Sequence, residues 1–109
     1  MNLQLSGKLQ APERVKAGES FSVQLLLRHA METGFISDAQ GQRQPQNLIR
    51  KIEFFLDDTA LLRLTPSSGL AANPYLQISL SIPRSGKLIC RWQDEQGAQG
   101  ELSQKISTT

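Results

Sequence analysis

Cysteine and histidine are almost missing from this chain: Cys90 and His29 are each the only one of their kind. A lone cysteine excludes an internal disulfide and leaves the redox compartment unreadable from cysteine usage. A metal centre needs three or four convergent ligands, and one His and one Cys on different strands do not supply them, so no metal and no cofactor are expected. Nucleophilic catalysis needs a base beside the nucleophile and a third group to orient that base, and no such set can be assembled around a single imidazole. Glu32 and Asp38 fall in one loop, so they do not read as the paired carboxylates of a glycosidase. There is no glycine-rich phosphate loop or dinucleotide fingerprint, no internal repeat, and no run approaching the ~20 apolar residues of a membrane span. Aromatics are few, and the Lys and Arg residues are scattered, with Arg50-Lys51 the only adjacent basic pair and a formal net charge of +2. Nucleic-acid binders gather such charges on one face with stacking aromatics between them, so neither nucleic acid nor membrane is an expected partner. Met1 to Lys8 lacks a basic segment followed by an apolar one and does not read as a secretory signal.

What the sequence does have is alternation. Phe21, Val23, Leu25 and Leu27 alternate with Ser22, Gln24, Leu26 and Arg28, and Ile52, Phe54 and Leu56 with Glu53, Phe55 and Asp57. Leu76, Ile78, Leu80 and Ile82 form a third such row, and Leu88, Cys90 and Trp92 a fourth. A period of two places one apolar row on one face of a strand, ready to pack on a core. Weaker strands are expected near Leu3–Leu9, Leu61–Leu64 and Leu102–Ile106. Turns are expected at Ala17-Gly18-Glu19, Asn73-Pro74, Arg84-Ser85-Gly86 and Asp94-Glu95-Gln96-Gly97. No long window has a helical period; Gln46–Ile52 is the one stretch with room for a short helical turn. The length of 109 residues fits one domain over the whole chain. About seven short antiparallel strands predict an all-β, immunoglobulin-like two-sheet sandwich, without the cysteine pair of antibody domains.

Cys90 shares the inward parity of Leu88 and Trp92, which predicts a buried structural thiol. His29 continues the inward parity of Phe21 to Leu27 and reads as a hydrogen-bonded histidine at a strand end, not a ligand. The connection from about 30 to 46 is longer than the ~12–15 residues usual for an unstructured loop, a length that often marks function. Asn73-Pro74-Tyr75-Leu76 reads as a turn entering a strand, with Tyr75 also suited to a partner contact through its large ring and polar tip.

Four stretches together resemble the SoxZ family. They are His29-Ala30-Met31-Glu32-Thr33-Gly34, then Asp38…Gly41…Pro45, then Ala72-Asn73-Pro74-Tyr75-Leu76, then Gly86-Lys87-Leu88…Trp92-Gln93-Asp94…Gly97. The resemblance runs from about Val15 to Ile106. One departure is Ala30, where the family usually has proline. The resemblance implies an immunoglobulin-like fold and a non-catalytic subunit that pairs with SoxY to form the SoxYZ carrier of bacterial thiosulfate oxidation. In that system sulfur intermediates ride on a cysteine in a glycine-rich C-terminal arm of SoxY. Here the final residues, Lys105-Ile106-Ser107-Thr108-Thr109, form no such arm, and Cys90 sits in mid-strand. The resemblance further implies periplasmic location by co-export with SoxY, and transient docking of other Sox proteins; whether the isolated chain forms a homodimer stays open. The contact residues expected are Met31, Glu32, Thr33 and Gly34 in the long loop, with Asn73 and Tyr75. Replacing Met31 or Glu32 is expected to reduce carrier turnover or partner binding while leaving the melting temperature nearly unchanged. The alternative function is a generic immunoglobulin-like binding module that engages another protein through an exposed edge strand.

Overall fold

The computed structural model describes residues 7–29, 31, 37, 39–42, 45–66 and 72–109. Eight strands follow one another, with no helix among the described residues: β1 Gly7–Gln10, β2 Arg14–Val15, β3 Phe21–Leu27, β4 Ile49–Leu56, β5 Thr59–Leu64, β6 Tyr75–Leu80, β7 Gly86–Asp94 and β8 Gln99–Thr108. They form a three-stranded sheet, β1-β3-β6, and a five-stranded sheet, β2-β8-β7-β4-β5. The two sheets face each other as the expected immunoglobulin-like sandwich. Each alternating row supplies the core: Val23, Leu25 and Leu27 from β3, Ile52, Phe54 and Leu56 from β4, and Leu88, Cys90 and Trp92 from β7 are all buried. Burying a side chain of this size contributes about 1.5–3 kcal/mol.

The strand expectations hold, with three refinements. The expected strand near Leu3–Leu9 is β1, and residues 3–6 of that stretch lie outside the described residues. The last strand is the longest, running from Gln99 to Thr108. A two-residue strand, β2, was not foreseen; it runs parallel to the end of β8, pairing Arg14 with Ser107 and Val15 with Thr108. Pro12 lies between β1 and β2, where a residue without an N–H ends the first strand and lets the chain cross to the other sheet. The crossing is fixed by Gln104 of β8, whose side chain accepts from the Ala11 amide at 3.2 Å and donates to the Ala11 carbonyl at 2.6 Å.

The room left for a helical turn over Gln46–Ile52 is filled instead by the start of β4. The register slips between Ile49 and Lys51, because Ile49 pairs with Asp94 and Lys51 with Gln93. This bulge puts Ile49 and Ile52, three apart, on the same buried side. An i, i+3 apolar pair in a bulged strand carries the same spacing as a helix.

The four expected turns all fall at strand junctions, with Gly86 opening β7 and Asp94 closing it. A fifth, Asp57-Asp58, joins β4 to β5 with Asp57 at φ 51°. Its carboxylate accepts the Lys87 amide at 3.0 Å and the Arg84 guanidinium at 2.7 Å. Those two bonds hold the Asp57 carboxyl below its ordinary range, the Lys87 amide first and Arg84 second.

Candidate functional site

β3, β4, β6 and β7 bring their ends together at one pole of the sandwich, beside the start of the 30–46 connection. His29 follows β3 and Asp94 closes β7. His29 Nε2 lies 3.0 Å from Asp94 Oδ2, with both side chains almost wholly buried. The Met31 amide donates to His29 Nδ1 at 2.8 Å, so Nδ1 is the bare nitrogen and Nε2 carries the proton it gives to Asp94. The ring also stands edge-on to Trp92, with centroids 5.8 Å apart. Both ring nitrogens are therefore occupied, and the pair has no free nitrogen with which to take a proton from a substrate. The expectation of a hydrogen-bonded strand-end histidine is met.

Asp94 is the hub of this pole. Its Oδ2 also accepts Asn47 Nδ2 at 3.1 Å, while Oδ1 accepts the Gln96 and Ala98 amides at 3.0 and 2.9 Å. Burial pushes the carboxyl upward, but the bonds from His29, Asn47 and the two amides outweigh it and hold Asp94 below its ordinary 3.8. Sequence reasoning took Asp94 as a turn residue and as part of a family-like stretch, and gave it no bonding partner. The signal was present: Leu88, Cys90, Trp92 and Asp94 share one parity, as do Leu27 and His29 on the facing strand. Two polar residues at inward positions near two strand ends are a buried pair waiting to meet.

Met31 does not present a docking side chain. It is 4% exposed, belongs to the hydrophobic core and has φ 48°. Its sulfur accepts the Ile49 amide at 3.4 Å, and so occupies the space at the bulge of β4. The adaptability of a thioether is used inside the fold. Glu32, Thr33 and Gly34 lie outside the described residues, as does Ala30.

Asn73 is structural in this geometry. It takes the left-handed φ of 51° that asparagine tolerates, and its Oδ1 accepts the His29 amide at 3.0 Å. Its own amide donates to the His29 carbonyl, and the Leu27 amide donates to the Pro74 carbonyl. These bonds continue the β3–β6 ladder past its last residues. Tyr75 opens β6 and is 57% exposed.

Cys90 is fully buried, and burial pushes its thiol up to about 12. It pairs across β8 with Leu102 and across β4 with Phe54, with no cation against it. Among the described residues no group of three His, Cys, Asp or Glu side chains stands close enough to hold a metal ion. No described helix is long and apolar enough to cross a membrane.

The model of the family described as sulphur oxidation protein SoxZ matches residues 9–105. This chain belongs to the SoxZ family. No curated protein matches it. Among solved structures it is similar to a superoxide reductase (neelaredoxin) variant from Ignicoccus hospitalis, at TM-score 0.69 and 21% identity over 97% of this chain and 83% of that one. A superoxide reductase from Thermotoga maritima, described as putative, matches at TM-score 0.68 and 20% identity, covering 94% of this chain and 85% of the other. The sulfur carrier protein SoxY from Chlorobium limicola f thiosulfatophilum matches at TM-score 0.61 and 11% identity, over 95% and 79%. At these identities the likeness concerns the fold. This SoxZ-family chain shares its sandwich with superoxide reductases and with a sulfur carrier alike, so the fold alone does not assign the chemistry.

Proposed function

We propose that this SoxZ-family chain is the non-catalytic subunit of a heterodimeric sulfur carrier. It pairs with a SoxY-type subunit, which holds the sulfur intermediate on its own C-terminal cysteine, and it helps present that carrier to other Sox proteins. The family match over residues 9–105 carries this reading. Two local observations support it. A carrier thiol must be exposed, tethered and readily deprotonated, and Cys90 is in mid-strand, buried and raised to about 12. His29, the one imidazole, has both nitrogens committed to structural bonds. The proposal places the pair in the periplasm, reached together with the SoxY-type subunit.

Co-expression with a SoxY homologue from the same source, followed by size-exclusion chromatography with mass detection, tests the proposal. A stable one-to-one complex is the expected result. Two separate peaks at micromolar concentrations would overturn it.

A further inference from the structure

Among the described residues, the outer face of the three-stranded sheet is where large apolar side chains stand open to solvent. Leu26 and Tyr75 are the exposed large hydrophobic residues of the described chain, at 38% and 57%. They are partners in register: Leu26 of β3 pairs with Tyr75 of β6 on one side and with Lys8 of β1 on the other. Lys8, Leu26 and Tyr75 thus stand abreast across all three strands. Arg28 follows Leu26 two residues on, with the same parity, and is exposed.

The rest of this face is graded. The next row is Gln10, Gln24 and Gln77, and the one beyond is Ser22 and Ser79. Gln77 and Ser22 bond to each other at 3.0 Å. No carboxylate belongs to any of these rows, and Lys8 and Arg28 make no ion pair among the described residues. Beside the patch, a trough runs between β1 and β8 under Lys8, Leu26 and Arg28. Its one carboxylate, Glu101, is already bonded to Arg91 at 2.7 Å.

We propose that the Leu26–Tyr75 patch, flanked by Lys8 and Arg28, is the surface on which the SoxY-type subunit docks, through an apolar side chain ringed by carboxylates. This rests on the heterodimer reading above and adds the location and the chemistry of the contact. Tyr and Arg are among the residue types that protein interfaces enrich, and here both stand exposed beside an open leucine. The charge decides against a second copy of this chain as the occupant. Two copies joined through this face would bring four cations together with no counter-charge on the face, whereas an acidic rim would pair both Lys8 and Arg28.

The test is affinity for the SoxY homologue, measured by titration calorimetry with wild-type chain, Leu26→Glu, Tyr75→Ser and the double variant Lys8→Glu/Arg28→Glu. Lys105→Glu, on the outer face of the other sheet, is the control, and each variant is checked by its melting temperature. The expected result is a weakening of about tenfold or more for the three variants of this face, and none for Lys105→Glu. For the wild type, affinity should fall as salt is raised, and the double variant should lose most of that dependence. A wild-type complex that all three face variants form equally well would overturn the docking surface and leave the heterodimer standing. Absence of any wild-type complex would overturn both. A wild-type homodimer in light scattering that Leu26→Glu converts to monomer would overturn the choice of occupant by showing a second copy on this face.

Discussion

Two neighbouring regions of this SoxZ-family chain differ in how their side chains are employed. At the His29–Asp94 pole both imidazole nitrogens, both carboxylate oxygens and even the Met31 sulfur have partners, and the Trp92 indole Nε1 is the one buried side-chain polar atom without one among the described residues. On the adjacent outer face, Leu26, Tyr75, Lys8 and Arg28 have none of that commitment. The lesson is that chemical reactivity on paper is a poor guide to what acts. A histidine beside an aspartate, which in a cleft would suggest acid–base work, here holds the end of a strand. A leucine and a tyrosine, plain by comparison, are the groups left free to meet another molecule. A third region sharpens the point. On the outer face of the five-stranded sheet, Glu53 binds Arg63 at 2.8 Å and Arg91 binds Glu101 at 2.7 Å while lying over the Phe55 ring at 5.2 Å. Those four charges are paired on the face that carries them.

The comparison can be broken most forcefully at Asp94. Asp94→Ala leaves His29, Asn47 and two backbone amides without their acceptor, and should cost roughly 3–5 kcal/mol in urea unfolding. A loss under about 1 kcal/mol would mean that the pole is not a structural hub. Met31→Ala comes next. Removing a buried Met side chain costs about 2–5 kcal/mol, so the melting temperature should fall clearly; this reverses the sequence-based expectation that Met31 could be changed without thermal effect.

Acid provides a graded version of the first experiment. Asp94 has a folded pKa below its ordinary 3.8, so the folded state favours the carboxylate. Its stabilising contribution is complete above the unfolded value and is lost as the pH falls through the folded one. Stability should therefore hold from neutral pH to about 4 and then decline, and Asp94→Asn should flatten the decline, as read by thermal melts between about pH 2 and 6. The smallest effect belongs to the other region. Tyr75→Ser should change stability by about 0.5 kcal/mol or less, the range of surface substitutions, while binding to the partner changes by far more. A large stability loss at Tyr75 would erase the contrast between the two regions.

Most of the fold was legible because alternation is a direct record of which face of a strand is buried. The four strong rows became β3, β4, β6 and β7, and the buried thiol of Cys90 followed from parity alone. What alternation hid had local causes. The bulge at Ile49–Lys51 broke the period and imitated a helical spacing. β2 is two residues long, too short to show a period at all. The candidate site was legible in part. His29 is hydrogen-bonded as expected, and Tyr75 opens β6 as the turn reading of Asn73-Pro74 implied. Met31 was misplaced because its flexibility says that it adapts, not whether it adapts to a partner or to a core. Leu26 was passed over because it sits between Leu25 and Leu27, where an outward apolar side chain is masked by its inward neighbours.

The seam between Ala11–Val15 and Gln104–Thr109 bears on how the chain reaches this state. Bonds such as Gln104 to Ala11 and the Ser107 amide to the Glu13 carbonyl link stretches separated by nearly the whole sequence. Loop-closure entropy makes such distant contacts slow to form and favours the local hairpins β4–β5 and β7–β8 as early structure. The sandwich is thus assembled around its hairpins and fastened late. An open seam leaves the edge of β8 exposed during that interval, so folding intermediates of this protein should be most vulnerable to protease and to mispairing at the strip that the finished molecule closes with the Gln104 side chain and the short β2–β8 pairing.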